Sequence, residues 1–240
     1  MQVYGRTDKG RVRQNNQDAF VTGKLSDSVH FAVVCDGMGG ANGGNVASSL
    51  AVKVITNRIV EGYRENMSLQ SIHYMLESAI AAANVLVYDT AVSDPDLHGM
   101  GTTVVAVIVS GQNAVIAHIG DSRAYMITED IRQLTRDHSV VWEMVEKGEI
   151  TEAEARIHPN KNFITRALGV EEQVECEITD AEIPENGMLL VCTDGLTNMV
   201  ENSEIARILK KLSPQDAVEK LIVSANMSGG SDNITACLFA

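Results

Sequence analysis

Phe31-Ala-Val-Val-Cys35 runs straight into Asp36-Gly37, and the same figure returns twice: Ala114-Val-Ile-Ala-His-Ile119 into Gly120-Asp121, and Leu189-Leu-Val-Cys-Thr193 into Asp194-Gly195. Short runs this rich in Val, Ile and Leu, bounded by turn residues, read as buried strands. A buried strand does not finish on a carboxylate unless something there offsets its desolvation, because an unpaired buried charge is very costly. Three such endings point to carboxylates converging on cations, and oxygen-only donors suit hard ions such as Mg²⁺ or Mn²⁺.

Composition narrows the class further. A chain of 240 residues, 45% hydrophobic and 21% charged, can bury a substantial core and is not disordered. With only 4% aromatic residues that core must be aliphatic. A net charge of −13 argues against nucleic-acid or anionic-membrane partners, which select basic surfaces. No apolar run approaches the ~18–20 residues needed to span a bilayer. Met1-Gln-Val-Tyr-Gly lacks the basic and apolar regions of a signal peptide, so a cytoplasmic location is expected. The protein is also expected to be a monomer. Cys35, Cys176, Cys192 and Cys237 form no Cys-x-x-Cys pair and read as small, reduced, mostly buried hydrophobes.

Along the chain, the N-terminal third reads as strand, turn, strand, then helix. The strand Val29–Cys35 leads through the glycine-rich turn 37–44 into a helix from about Asn45 to Tyr63. Leu69, Ile72, Leu76, Ile80, Ala83 and Val87 recur at helical spacing, giving a helix over about 69–90 with Ser68 as N-cap. Strands are expected over 102–110, 114–119, 124–127 and 132–134, close enough together to imply antiparallel sheet. A short helix over 139–147 and a capping box at Thr151–Glu154 follow, then strands over 175–179 and 188–193. Helices over 203–212 and 214–226 and a strand over 233–239 close the chain. No linker or repeat interrupts it, so one domain covers 1–240 and its class is α+β.

Five aspartates lie where strands begin or end: Asp18, Asp36, Asp121, Asp194 and Asp232. Carboxylates so placed can cluster in one cleft on a rigid scaffold. Gly37 allows a sharp turn that would free its own carbonyl as a ligand. The glycine turn resembles a phosphate cradle but lacks the Gly-Lys-Ser/Thr ending of a P-loop.

The ordered series Arg13-Gln-Asn-Asn-Gln-Asp18, Asp36-Gly-Met-Gly-Gly40, Gly101-Thr-Thr103, Gly120-Asp-Ser-Arg123, Asp194-Gly195 and Gly230-Ser-Asp-Asn233 resembles the metal-dependent protein phosphatases of the type 2C family, and in particular their compact bacterial Ser/Thr branch. The likeness runs from about Thr7 to Phe239. It implies a four-layer αββα sandwich of two antiparallel sheets flanked by helix pairs. It also implies two Mn²⁺ or Mg²⁺ ions, with a third in bacterial members. Carried over residue by residue, Asp36 would bridge both metals and the Gly37 carbonyl would bind one. Asp194 and Asp232 would bind the other, and Asp18 would hold metal-bound waters. Asp121 with Asp194 would form the third site, and Arg13 would clamp the substrate phosphate. Hydrolysis of phosphoserine and phosphothreonine would then proceed by direct attack of a metal-bridging hydroxide. The segment from about Trp142 to Leu168 corresponds to the family's variable flap, where Arg166 either docks a phosphopeptide or steadies the flap.

The chain departs from its resemblance in places. Met38 and Ala41 stand where relatives carry histidine, so leaving-group protonation must come from elsewhere, and Gln17 stands where some relatives place a metal-binding Glu. His138 reads first as structural, with support of the cleft as the alternative, and His30, His73, His98, His118 and His158 show no ligand spacing. The expected partners are phosphorylated proteins, a Ser/Thr kinase among them. Two competing readings are a catalytically weak phosphoprotein-binding scaffold and a hydrolase of small phosphate esters.

Overall fold

Alternate residues of the central strands face two different apolar layers, which is why these strands read as unbroken hydrophobic runs rather than as alternating ones. In β3 (Val29–Met38), Phe31, Val33 and Cys35 belong to one core and Ala32 and Val34 to another. The same period-2 division splits β5 (Val104–Ser110) and β6 (Asn113–Ile119). In the opposing sheet it splits β7 (Arg123–Ile127), β10 (Met188–Cys192) and β11 (Ile234–Phe239). The computed structural model describes residues 1–240, with the side chains of all but residues 41 and 42.

One sheet has the order β1 (Val3–Asp8), β11, β10, β7, β8 (Ile131–Gln133). The other runs β2 (Asp18–Ser26), β3, β5, β6, β9 (Glu177–Glu182), with β4 (Gly101–Thr102) added to the end of β3. Every ladder is antiparallel. The inner faces share a core that includes Val105, Val107, Leu189 and Phe239. Helices α1 (Gly40–Gly62) and α2 (Leu69–Ser93) cover the outer face of the β3 sheet. Helices α6 (Asn202–Lys211) and α7 (Pro214–Met227) cover the other. The expected αββα layering is thus present, with an aliphatic core between each pair of layers.

Local chemistry explains most element boundaries. Ser68, Ser139, Thr151 and Ser213 each cap a helix by accepting a backbone N–H, those of α2, α3 (Val140–Glu146), α4 (Glu152–Ile157) and α7. Thr151 and Glu154 close the reciprocal capping box. Differences from expectation have identifiable causes. β1 is a half-exposed edge strand whose mixed residues carry no periodic signal, yet Val3–Asp8 pairs with Phe239–Ile234 along its whole length. β9 lies later than expected because it is a polar edge strand fixed by register with Asn113–His118. By length and a mean hydropathy of 1.2, α2 could cross a bilayer, contrary to the expectation that nothing approaches spanning length. Its Ile72, Leu76, Ile80, Ala83 and Val87 are buried against the sheet.

Helix α1 starts at Gly40, inside the glycine turn and well before Asn45. Glycine lowers helix propensity, so the reason lies in packing. A Cβ on Gly44 would stand 2.6 Å from the Gly37 carbonyl oxygen, and one on Gly37 would collide with the Gly44 carbonyl. The first turn of α1 therefore lies backbone to backbone on the end of β3. Gly44→Ala should lower the urea midpoint despite a helix-propensity gain of about 1 kcal/mol, because overpacking costs about 1–3 kcal/mol. A raised midpoint would show that the contact relaxes freely.

Candidate metal centre and active cleft

The five aspartates arrive at one edge of the sandwich from separate elements. Asp18 opens β2 and Asp36 lies in β3, where the two are direct cross-strand partners. Asp121 follows β6, Asp194 begins the short helix α5 (Asp194–Thr197), and Asp232 precedes β11. Arg13, Asp36, Gly37, Asp121, Asp194 and Asp232 line one cleft of about 430 Å³. Asp18 sits behind that wall, only 7% exposed. Its Oδ2 accepts hydrogen bonds from the hydroxyls of Thr193 (2.9 Å) and Thr235 (2.6 Å), and its Oδ1 is buried with no partner. The residues singled out from sequence thus share one place, in one layer of wall and one of support.

Their electrostatics are those of a site short of positive charge. Burial and then the charges of Asp18, Asp194, Asp121 and Asp232 hold the Asp36 carboxyl well above the ordinary aspartate range. Burial and then Asp194 do the same to Asp121. Asp194 is raised by burial and by Asp232, against a lowering pull from Arg123. Asp18 is pushed up to about 7, chiefly by burial, although both threonine hydroxyls favour its charged form. Arg13 donates to Asp232 Oδ2 at 2.7 Å from a half-exposed position. An array of hard oxygen donors, one of them orphaned, fits divalent hard cations, which would relieve both repulsion and desolvation.

Several supporting residues carry no sequence signal of their own beyond membership in a motif. Thr103 Oγ1 accepts the Asp36 N–H at 3.0 Å and shares a 2.8 Å hydrogen bond with Ser122 Oγ. This links the Gly-Thr-Thr and Gly-Asp-Ser-Arg motifs behind the cleft. Asn233 Oδ1 accepts the Gln17 N–H, and its Nδ2 donates to the Lys9 and Asn15 carbonyls, fastening the loop that carries Arg13. Asn198 Nδ2 donates to Asp194 Oδ2 at 2.8 Å. Arg123 binds Asp137 through Nε at 2.9 and 3.0 Å, placing a neutralised cation beside Asp121 and Asp194.

The departures also have addresses. Met38 lines both this cleft and an adjoining cavity of about 460 Å³ beside Phe163, Arg166 and Val170. Gln17 Nε2 is tied to the Gly40 carbonyl at 3.0 Å. The Ala41 side chain lies outside the described residues. Asn162 and Ile164 of the 142–168 segment join the cleft wall, and among the described residues no histidine does. His138 is 3% exposed and lies behind Gly120, whose N–H it accepts at Nδ1.

An aspartate with a higher pKa folded than unfolded takes up protons on folding, so its contribution to stability falls as pH rises. Between the ordinary 3.8 and about 7, the range spanned by Asp18, the metal-free protein should lose stability with rising pH. Thermal melts in EDTA from about pH 5 to 8 should show a falling Tm. Asp36→Asn should raise the Tm near pH 7 by about 2 °C or more. A Tm that climbs through this window, or an Asn variant no more stable than wild type, would overturn the account of repelling carboxylates.

Comparison with known proteins agrees with this geometry. Residues 7–228 match the family described as protein phosphatase 2C. The serine/threonine phosphatase stp of Listeria innocua is 41% identical over 243 residues, covering 99% of this chain and 95% of that protein. Protein phosphatase PhpP of Streptococcus pneumoniae is 34% identical, covering 99% and 96%. Among solved structures, serine/threonine phosphatase Stp1 of Staphylococcus aureus superposes with a TM-score of 0.93 at 33% identity, covering 99% and 93% of the two chains. The catalytic domain of the serine/threonine protein phosphatase PstP, in complex with 2 manganese ions, superposes with a TM-score of 0.86 at 31% identity, covering 99% and 96%. The chain belongs to the protein phosphatase 2C family.

Proposed function

We propose that this phosphatase hydrolyses phosphoserine and phosphothreonine in proteins, using Mn²⁺ or Mg²⁺ held by the aspartate cleft. The observation that carries the reading is the gathering of Asp36, Asp121, Asp194 and Asp232, from four chain segments, around one cleft that Arg13 also lines. Asp36 and the Gly37 carbonyl would hold one ion, with Asp36, Asp194 and Asp232 holding a second. Asp121 and Asp194 offer donors for a third, and Asp18 would hold metal-bound water from behind. When bound, such ions acidify a water for direct attack on phosphorus and clamp the attacking and leaving oxygens in line.

The chain's own residues supply the rest. The Arg13 guanidinium binds phosphate oxygens through paired N–H donors and never loses its charge. Its bond to Asp232 points it into the cleft before substrate arrives. With no histidine at position 38, the leaving alkoxide takes its proton from water in the cleft. The cleft is open and adjoins a second cavity rimmed by the exposed Phe163, a shape suited to a protein segment rather than a small ester. A cytoplasmic monomer acting against a Ser/Thr kinase completes the reading.

Phosphate release from a phosphothreonine peptide tests it. Release should require Mn²⁺ or Mg²⁺ and stop with EDTA. Asp36→Asn should cost more than the about 10–100-fold typical of a group that merely supports a metal ligand. Arg13→Ala should raise KM about 10–100-fold, the worth of about 1.5–3 kcal/mol for a charged hydrogen bond. Tight phosphopeptide binding without metal-dependent release would replace the enzyme with a scaffold. Preference for small phosphate esters at matched concentration would replace the substrate class.

A further inference from the structure

Behind Asp121 lies a polar cluster that the reaction described above does not use. His118 Nδ1 or Nε2, a ring nitrogen of His138 and a carboxylate oxygen of Glu177 all lie within 4.8 Å of one another, with both histidines buried. Such a trio invites reading as a cation site, but its hydrogen bonds oppose that. His138 Nδ1 accepts the Gly120 N–H at 3.0 Å, so Nε2 must carry the ring proton. That proton points at Glu177 Oε1, 3.0 Å away, while Arg166 Nη1, 3.5 Å from the same nitrogen, has the Glu175 carbonyl as its nearer acceptor at 3.3 Å. A cation at Nε2 would have to displace it while Nδ1 still faced an N–H, leaving the ring an imidazolate. Arg136 and Arg166 also stand 3.3 and 3.8 Å from Glu177, which is the wrong company for a divalent ion.

What the cluster does instead is grip the Gly120–Asp121 turn. His138 holds Gly120 twice, accepting its N–H at Nδ1 and donating its own backbone N–H to the Gly120 carbonyl at 3.0 Å. Gly120 has φ +99°, and a Cβ there would stand 2.6 Å from the Thr103 side chain, so the turn has little room to settle elsewhere. His118 stacks on the His138 ring at 4.8 Å between centroids and 16° between planes, fixing the ring's plane. His118 is itself held by a 2.7 Å bond to the Arg136 carbonyl. Glu177 fixes the tautomer. The 142–168 segment closes on the same residue: the Thr165 N–H donates to the His138 carbonyl at 2.8 Å, and Ile164 bridges Ser139.

We propose that His138 and Glu177 are a positioning pair for Asp121: Glu177 sets the His138 tautomer, and His138 Nδ1 then sets the turn that presents the Asp121 carboxylate to its metal. The inference rests on the metal-holding role proposed for Asp121. Outer partners of metal ligands govern affinity in just this way, by orienting a group they do not replace.

The test compares two substitutions that keep opposite halves of the imidazole. His138→Asn places an amide oxygen near Nδ1 and retains the acceptor for Gly120, whereas His138→Gln reaches toward Nε2 and leaves the Gly120 N–H unpaired. Calorimetric Mn²⁺ titration of the whole protein should show the weakest site weakened about tenfold or more in His138→Gln and in Glu177→Ala. His138→Asn should stay within about threefold of wild type. The phosphopeptide kcat should fall in the first two variants with KM unchanged. In the nitrogen-15 spectrum, wild-type His138 should be protonated at Nε2 alone, and the Gly120 amide should shift in His138→Gln but not in His138→Asn. In an Asp121→Ala background, His138→Gln should cost nothing further.

A His138→Gln protein that melts normally and titrates Mn²⁺ like wild type overturns the proposal, as does an equal loss in His138→Asn. Additive losses with Asp121→Ala would reduce His138 to a general structural role. Wild-type protein that binds no Mn²⁺ would instead remove the underlying function, a result separable from the other three.

Discussion

A buried carboxylate fastens the two sheets together at the edge that carries the cleft. Asp18 belongs to the β2–β3 sheet, yet its Oδ2 is held by Thr193 and Thr235, which continue or lie within strands of the opposing sheet. Elsewhere the sheets meet through aliphatic contacts such as Val107, Val191 and Phe239, which are strong in sum but indifferent to small slides. The two hydroxyls are directional, and so they set the offset of one sheet on the other at the edge where Asp36, Asp194 and Asp232 must meet. Cross-strand pairing of Asp18 with Asp36 carries that setting one strand further.

This arrangement places an unfavourable region in a favourable frame. Burial drives the fold, with three aliphatic cores across four layers. The cleft works against it, since the like charges of Asp36, Asp121 and Asp194 repel and are partly desolvated. A protein only marginally stable overall tolerates such a site because neutral groups fix its framework: Asn198 holds the Asp194 carboxylate, Thr103, backed by Ser122, holds the Asp36 backbone N–H, and Asn233 fastens the loop that carries Arg13. Those partners orient without neutralising, which leaves the charge available for cations.

Much of this was legible in the chain. The strand endings at Asp36, Asp121 and Asp194 marked both the core and the cleft, because an apolar run that ends on a charge carries two messages at once. The helical spacing from Leu69 to Val87 and the capping residues Ser68, Thr151 and Ser213 placed their helices closely. What escaped was set by non-local partners. The edge strand Val3–Asp8 owes its form to β11, more than two hundred residues later, and the first turn of α1 owes its form to close approach at Gly37. Thr103, Thr193 and Asn233 stood within the quoted stretches, yet their tasks did not show, since a hydroxyl or amide becomes a support only when the fold brings it a group to bond. His118 and Glu177 had no spacing in common; sheet register between β6 and β9 makes them neighbours.

The attachment of the 142–168 segment has a consequence for how such a protein can diversify. One end is pinned where Val140 N–H meets the Phe163 carbonyl, and the other where Leu168 exchanges two backbone hydrogen bonds with Thr102. Everything between these clips is a closed excursion whose ends are fixed by main-chain atoms, independent of side-chain identity. Lengthening such an excursion is thermodynamically mild, since doubling a loop adds only about 0.6 kcal/mol of closure entropy. Inheritance can therefore rewrite the rim of the cleft, residue by residue or in blocks, while the frame beneath keeps its shape.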